Sequence, residues 1–512
     1  MKEDFIKKPK DNRLILRMVF DGILIGIISG FFSVLYRYII SKTNIVREYI
    51  YSFKDIPHII LFLFLFILMA LIMAKLLKWA PLSGGSGIPQ IRAEVLGRVS
   101  MDENKTLISK YIGGTLGNIA GLSLGREGPS IQIGGAIAKK IAEILKRDEI
   151  ETKYMITAGS SAGLAAAFNA PLAGTLFSLE EIHKSFSHFV LVPCLIASVI
   201  ANYISFLLLG EESAFSFSVK ETLPVKYIYI AIILGIITGL VGILFNIGLV
   251  KTQKLYKKTK LNQSARLIIA MVVALFVGYN FHFATGGGHE LIESISGEFY
   301  PIKFLLVVLV VKLIYTWISY GSGAQGGIFL PVLVLGGVSG AIFFKLVSPV
   351  LNIEEYYINF IILGMAGVLT SVVRAPIMSI LLVTEMTGSF SHLISLTAVS
   401  IVAFFIAESF HNPPIYETLF DGIMKNLKIK EVSEEEGYGI YKYIISDISK
   451  CTGKTLEEIE FPHHLIVASI ERDGVEIVPT SKDKLLNGDK ITVIAKEKYQ
   501  YNIDKYFKSE NL

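Results

Sequence analysis

The chain is 512 residues long, 52% hydrophobic and only 18% charged, with a mean hydropathy of +0.56; this excludes a soluble globule and predicts an all-α protein that crosses a membrane many times. Its formal charge of +5 is unevenly spread: residues 421–512 hold 14 basic and 17 acidic side chains, leaving 35 and 27 for residues 1–420. The basic excess of the apolar part fits cytoplasmic loops and lipid head groups, not nucleic acid.

The start, MKEDFIKKPKDNRLILRMVF, lacks the pattern of a removable signal peptide. Lys2, Lys7, Lys8, Lys10, Arg13 and Arg17 predict a cytoplasmic N-terminus. Apolar segments follow near 15–41, 58–79, 106–124, 128–145, 152–168, 170–182, 189–209, 226–250, 266–283, 302–319, 327–347, 357–371, 374–387 and 391–409. Several fall short of the roughly 20 residues a straight span needs, so tilted and broken helices are expected. Glycine loops interrupt them at Ser83–Gly87, Gly121–Gly128, Gly286–Gly288 and Gly321–Gly327. A helix starting after such a loop presents free N–H groups with partial positive charge, a natural seat for an anion.

The loop GREGPSIQIGG, Gly125–Gly135, sets Arg126 and Glu127 between glycines before an apolar run. Its grammar recurs in GGIFLPVLVLGG, Gly326–Gly337: aligning Pro129 with Pro331 puts Gly125 on Gly327, Glu127 on Phe329 and Gly134-Gly135 on Gly336-Gly337. AGLAAAFNAPLAGTLFSLEE (Ala162–Glu181) likewise matches AGVLTSVVRAPIMSILLVTEM (Ala366–Met386), with Glu180 over Glu385. Two matches in succession speak for a duplicated unit and against chance, and Gly/Pro-broken apolar segments in corresponding places point to a transport site. The halves are placed at about 15–210 and 225–420.

From 425 the texture becomes soluble, and residues 425–512 are read as a small α/β domain. Strands are expected at Tyr441–Ser446, His464–Arg472 and Asp489–Ala495, with turns at Asp473-Gly474 and Asn487-Gly488 and a helix at Lys454–Ile459. Cys194 and Cys451 lie far apart, implying neither a disulfide framework nor a zinc site. His183, His289, His411 and the pair His463-His464 show no metal-ligand pattern, and no enzymatic motif stands in the right context.

Four motifs in order, GSGIPQ (Gly85–Gln90), GREGPS (Gly125–Ser130), GSGAQGGIFLP (Gly321–Pro331) and Tyr416 in NPPIYETL, resemble the CLC family of chloride channels and proton-coupled chloride antiporters over residues 15–425. The resemblance implies an inverted repeat of tilted, broken helices in residues 1–424. It also implies homodimers with one pathway per subunit, placed in the plasma membrane with both termini cytoplasmic, and chloride and protons as transported ions with no cofactor.

The resemblance assigns the central anion to the hydroxyls of Ser86 and Tyr416 and the backbone amides of Ile328 and Phe329. Gly85, Gly87, Gly125, Arg126, Gly128 and Pro129 would shape the loops around it. Neutral donors hold an anion without trapping it. On residue chemistry alone, Ser86 reads as a helix cap and Tyr416 as an interfacial anchor.

Glu127 matches the family's gating glutamate, which competes with chloride while ionised and leaves when protonated; the plainer alternative is a salt bridge to Arg126, disfavoured between adjacent residues. Glu181 matches the internal proton-transfer glutamate of the antiporters, where many channels are apolar, and Glu180 reads as a structural helper. Bare composition would make both charges at a membrane interface. The resemblance also implies that Ser86 and Pro129 favour chloride over nitrate and fluoride.

The stretch Gly453–Ala495 resembles the TrkA-C module of potassium-transport regulators, implying a small-molecule ligand or dimer contacts; a passive cap is the alternative. Three functions stay open: chloride/proton antiport, a passive chloride channel with the same anion site, or a ligand-sensing membrane protein whose pore is vestigial.

Overall fold

Helix starts follow capping chemistry. Asp55, Asp102, Asp148 and Asn262 each accept from the amide three residues on, and helices open at Ile56, Glu103, Glu149 and Gln263. Proline stands in the first turn of those opening at Ile56, Ile88, Pro171 and Pro376, where its missing N–H costs nothing.

A computed structural model describes residues 9–211, 214–215, 217, 223–351, 353–388, 390–427, 438–446, 449, 451–459, 461, 465–472, 474–496, 499, 503 and 507. Lys2, Lys7, Lys8, His463, His464 and Asp473 lie outside them, as do the side chains of Lys10 and Arg13. The chain divides into two compact units, Met1–Ile423 and Met424–Leu512.

The first unit is helical: α1 (Pro9–Ser52), α2 (Ile56–Trp79), α3 (Ile88–Val95), α4 (Glu103–Ile119), α5 (Glu127–Ile144), α6 (Glu149–Phe168), α7 (Pro171–Phe177), α8 (His188–Leu209) and α9 (Ile228–Lys258). There follow α10 (Gln263–Asn280), α11 (His289–Gly297), α12 (Ile302–Gly321), α13 (Phe329–Leu351), α14 (Tyr357–Val373), α15 (Pro376–Thr387), α16 (Leu393–Ser409) and α17 (Ile415–Asn426), which runs past the end of the unit. Among the described residues nine helices are long and apolar enough to cross a membrane. The α14 span is 94% buried in protein while α2 is only 28% buried, so the first is enclosed and the second presents most of its surface outward. This is a multi-pass membrane protein of tilted and broken helices.

The duplication is visible in the packing. Pro129 and Pro331 are each the third residue of their helices, α5 and α13. In α5 and α6, Gly134 lies against the carbonyl of Gly159; in α13 and α14, Gly336 lies against that of Gly364. Without side chains there, the backbones of each pair touch. α6 and α14 then both end on a left-handed residue, Asn169 (φ 55°) and Arg374 (φ 70°), before an Ala-Pro that opens the next helix.

Four helices depart from expectation. α1 continues past 41 to Ser52 because Arg47 and Tyr51 are buried: Arg47 pairs with Glu290, and the Tyr51 hydroxyl donates to the carbonyls of Ala120 and Ala274. The short helices α3, α11 and α17 lie outside the apolar segments, being too brief or too polar to register by hydropathy.

The second unit carries an antiparallel sheet of order β1-β4-β2-β3: β1 (Tyr438–Ile444), β2 (Leu465–Arg472), β3 (Val475–Ile477) and β4 (Lys490–Lys496). The short β3 was not expected. Ile491, Val493 and Ala495 alternate into its core with Tyr443 and Ile470. Lys454–Ile459 is a run of turns and not the expected helix. Its backbone bonds elsewhere, Leu456 N–H to Asp483 and Glu457 N–H to Ser481, and the Lys454 carbonyl accepts from Leu485, so no helical ladder forms.

Candidate functional site

Four glycine loops meet because their backbones bond to one another. Gly85 N–H donates to Ala324 (3.1 Å) and Gly326 N–H to Gly85 (3.0 Å). Gly125 and Gly327 exchange bonds of 2.7 and 2.8 Å, and Gly286 N–H reaches Gly121 at 2.9 Å. Two fully buried lysines clamp these loops: Lys110 on α4 donates to the Gly85 carbonyl at 2.6 Å, and Lys312 on α12 to those of Gly286 (2.6 Å) and Ala284 (3.0 Å). The lysines are separated in sequence by the spacing that relates Pro129 to Pro331, and both face corresponding loops.

Around that knot the predicted residues come together. Ser86 is fully buried, its Oγ 3.4 Å from the Ile88 amide at the start of α3, and Tyr320 packs beside it. Gly87 has φ 90°, and a Cβ there would stand 2.5 Å from the Gln132 side chain. A Cβ on Gly128 would stand 2.7 Å from the Ser86 carbonyl, so the first turn of α5 presses on Ser86. Pro129 follows in that turn. Ile328 immediately precedes α13 and Phe329 opens it; both are buried. The Phe329 ring lies 6.0 Å from Phe177, which lies 6.3 Å from Tyr416 in the first turn of α17. The Tyr416 hydroxyl is buried with no partner among the described residues.

Glu127, the first residue of α5, is fully buried, and its carboxylate folds back against Gly125. Neither oxygen has a hydrogen-bond partner among the described residues, although the amides of Glu127 and Leu330 and the charge of Arg126 act on it. Arg126 is half-buried, and its Nε is buried and unpartnered among the described residues. A cavity of about 290 Å³ opens onto Gly125, Arg126 and Leu330, walled by Arg47, Thr285 and His289. His289 opens α11 and reaches the Ala214 carbonyl at 2.6 Å.

Glu181 sits in a π-turn, Ser178–His183, continuing α7. It is buried; Oε1 is 3.3 Å from Lys184 Nζ, and Oε2 has no partner among the described residues. Tyr416 lies within electrostatic reach of both Glu127 and Glu181. Glu180 instead accepts the Met378 amide at 3.2 Å. Lys110, Lys312 and Tyr320 were missed by sequence reasoning; a lysine in the apolar run of α12 was the available signal. No group of three or more His, Cys, Asp or Glu suited to a metal occurs among the described residues.

The larger unit matches the family model described as voltage gated chloride channel over residues 66–408, and the tail matches the TrkA-C domain over residues 440–508. A protein of Vibrio cholerae serotype O1 (strain M66-2) named H(+)/Cl(-) exchange transporter ClcA is 34% identical over 364 residues, 69% of this chain and 77% of that protein. The protein of that name from Vibrio vulnificus (strain YJ016) is 30% identical over 426 residues, 80% of this chain and 90% of its own length. The crystal structure of a slow cyanobacterial Cl-/H+ antiporter superposes with a TM-score of 0.73 at 28% identity, covering 81% of this chain and 99% of that one. The chain belongs to the voltage-gated chloride channel family and carries a TrkA-C domain at its C-terminal end.

Proposed function

We propose that this protein exchanges chloride for protons across the plasma membrane. The observation that carries the reading is the fully buried Glu127 carboxylate, with no hydrogen-bond partner among the described residues, at the start of a helix pressed on Ser86. Chloride rests between the hydroxyls of Ser86 and Tyr416 and the amides of Ile328 and Phe329, where neutral donors replace part of its hydration shell. An ionised Glu127 competes for that seat; protonation releases it, so anion occupancy and proton transfer are linked through one group.

Glu181 takes protons on the other side. Its burial, its free Oε2 and its nearness to Tyr416 support antiport over the passive channel, which needs no second buried carboxylate. The exchangers and antiporter to which the chain is similar support the same choice. We place both termini in the cytoplasm, residues 1–424 in transport, residues 425–512 in regulation by a small ligand, and the working protein as a homodimer.

Purified protein in proteoliposomes tests the reading. A chloride gradient is expected to drive protons uphill, and Glu127→Gln to keep chloride flux while abolishing proton movement. Chloride flux without proton movement in the wild type selects the channel, and unaltered coupling in Glu127→Gln rejects the scheme.

A further inference from the structure

The basic end of α9 has no part in the transport scheme. No acidic residue stands between Glu221 and Glu290, so nothing in that stretch of chain offsets the lysines at the end of α9 and in its turn into α10. Lys251, Lys254 and Lys258 fall on one stripe of the helix, Lys260 lies just beyond its last turn, and all four are exposed. None of the four has an ion pair among the described residues. Leu255, 61% exposed, lies within the stripe, whereas Tyr256 on the opposite side is buried. Water and counter-ions satisfy the lysine tips but leave the leucine bare.

The end of α2 extends the patch. It carries Lys75 and Lys78, both exposed, and closes on Trp79, 45% exposed and of a ring type favoured at head-group depth. Packing brings this end to the start of α10: a Cβ on Gly84 would stand 3.3 Å from both the Leu77 side chain and the Gly323 carbonyl, and one on Gly323 would stand 3.0 Å from the Gln263 side chain. With the N-terminus cytoplasmic, α1 crosses outward and α2 returns, so these lysines meet the inner leaflet. The patch also backs a loop of the anion site. Gln263 Nε2 donates to the Ser322 carbonyl at 2.8 Å, and a Cβ on Gly321 would stand 3.0 Å from Thr252 and 3.2 Å from Tyr256 of α9. That loop, Gly321–Gly327, leads directly into Ile328 and Phe329.

We propose that the end of α9, its turn into α10 and the end of α2 form a docking surface for anionic phospholipid head groups, and that lipid held there steadies the Gly321–Gly327 loop. The phosphate draws the lysine tips while the acyl chains cover Leu255 and Trp79; a soluble anion offers only the first. The effect on transport rests on the chloride-transport reading above, whereas the lipid contact does not.

The test uses the full-length protein. In detergent it is titrated with phosphatidylglycerol, phosphatidylcholine or glycerol phosphate, and retention is read by native mass spectrometry. Phosphatidylglycerol binds at least about tenfold more tightly than phosphatidylcholine, each lysine near an anionic head group contributing about fivefold. The combined variant Lys251→Gln, Lys254→Gln, Lys258→Gln and Lys260→Gln loses that preference, and arginine at the same four positions keeps it. Chloride flux of the wild type rises when phosphatidylglycerol is added to phosphatidylcholine vesicles; the glutamine variant matches the wild type in phosphatidylcholine alone and does not respond to the addition. Equal retention of the two lipids by the wild type overturns the inference, as does a glutamine variant that still prefers phosphatidylglycerol. Glycerol phosphate bound as tightly as the lipid overturns the lipid assignment, and a wild-type flux indifferent to phosphatidylglycerol overturns the steadying of the loop. Protein that moves no chloride in any vesicle overturns the transport reading, while lipid retention still decides the docking surface.

Discussion

Glu180 and Glu385 each cap the helix that leads to the other. Glu385, on α15, accepts the Leu172 and Ala173 amides of α7 at 3.0 and 2.8 Å; Glu180, beyond the end of α7, accepts the Met378 amide of α15 at 3.2 Å. The carboxylates occupy matched places in the two halves, and each answers the positive end of a short helix that has no side-chain cap of its own. Glu385→Ala is expected to cost about 1–2 kcal/mol and Glu180→Ala about half that. Thermal unfolding in detergent reads the order, and equal, negligible losses would show that the caps are idle.

The buried lysines make a second pair. Lys312→Met leaves two loop carbonyls without their donor, whereas Lys110→Met removes one of two donors on the Gly85 carbonyl, which keeps Gly326 N–H, so about 2–4 and about 0.5–1.5 kcal/mol of stability are lost. Gly85 adjoins Ser86, so Lys110→Met also lowers chloride flux; flux measured below the unfolding temperature checks this.

Gly134→Ala and Gly336→Ala each place a methyl group into a carbonyl of the partner helix. Overpacking of this kind costs about 1–3 kcal/mol or more, and here the obstacle is backbone that cannot rotate away. Both variants are expected to lose folded yield on size-exclusion chromatography, whereas Gly422→Ala, with open space at its Cβ, does not.

Tyr416→Phe keeps the ring beside Phe177 and deletes only the hydroxyl. Under the proposed scheme one hydrogen bond to chloride disappears, worth about 1.5–3 kcal/mol, and chloride affinity falls about tenfold or more. Chloride titration calorimetry on purified protein measures it; an unchanged affinity removes Tyr416 from the anion site.

In the tail, Arg472 grips Asp489 with two bonds, Nε to Oδ1 at 2.8 Å and Nη2 to Oδ2 at 2.7 Å. Burial pushes the Asp489 carboxyl up, but the Arg472 bonds and charge outweigh it and leave it below its ordinary 3.8. A depressed carboxylate stabilises fully above the unfolded value and less as pH falls through the folded one, so this contribution fades only below about pH 4. Asp489→Asn costs the tail about 2–3 kcal/mol at neutral pH. Hydrogen exchange of β2 and β4 in the full-length protein reports it, and the difference from wild type shrinks at acid pH.

The apolar segments, the glycine loops and the internal duplication were all legible in the sequence, because helix burial and tight turns leave local marks in residue type. β1, β2 and β4 of the tail were legible for the same reason, while the three-residue β3 was not. The helix expected at Lys454–Ile459 was not real, since Thr-Leu-Glu-Glu favours a helical turn locally while the segment's amides and carbonyls bond to residues 481–485. That outcome depends on a distant partner.

By itself, then, the sequence determined that the protein spans a membrane, repeats its architecture, and carries Ser86, Glu127, Glu181 and Tyr416 in family-like motifs. Only the tertiary structure decided that Lys110 and Lys312 clamp the loops and that Glu180 and Glu385 cap across the two halves. The reason is physical: a lysine or arginine looks the same in a sequence whether water or a buried carbonyl solvates it, and which one does is set by chain segments far away.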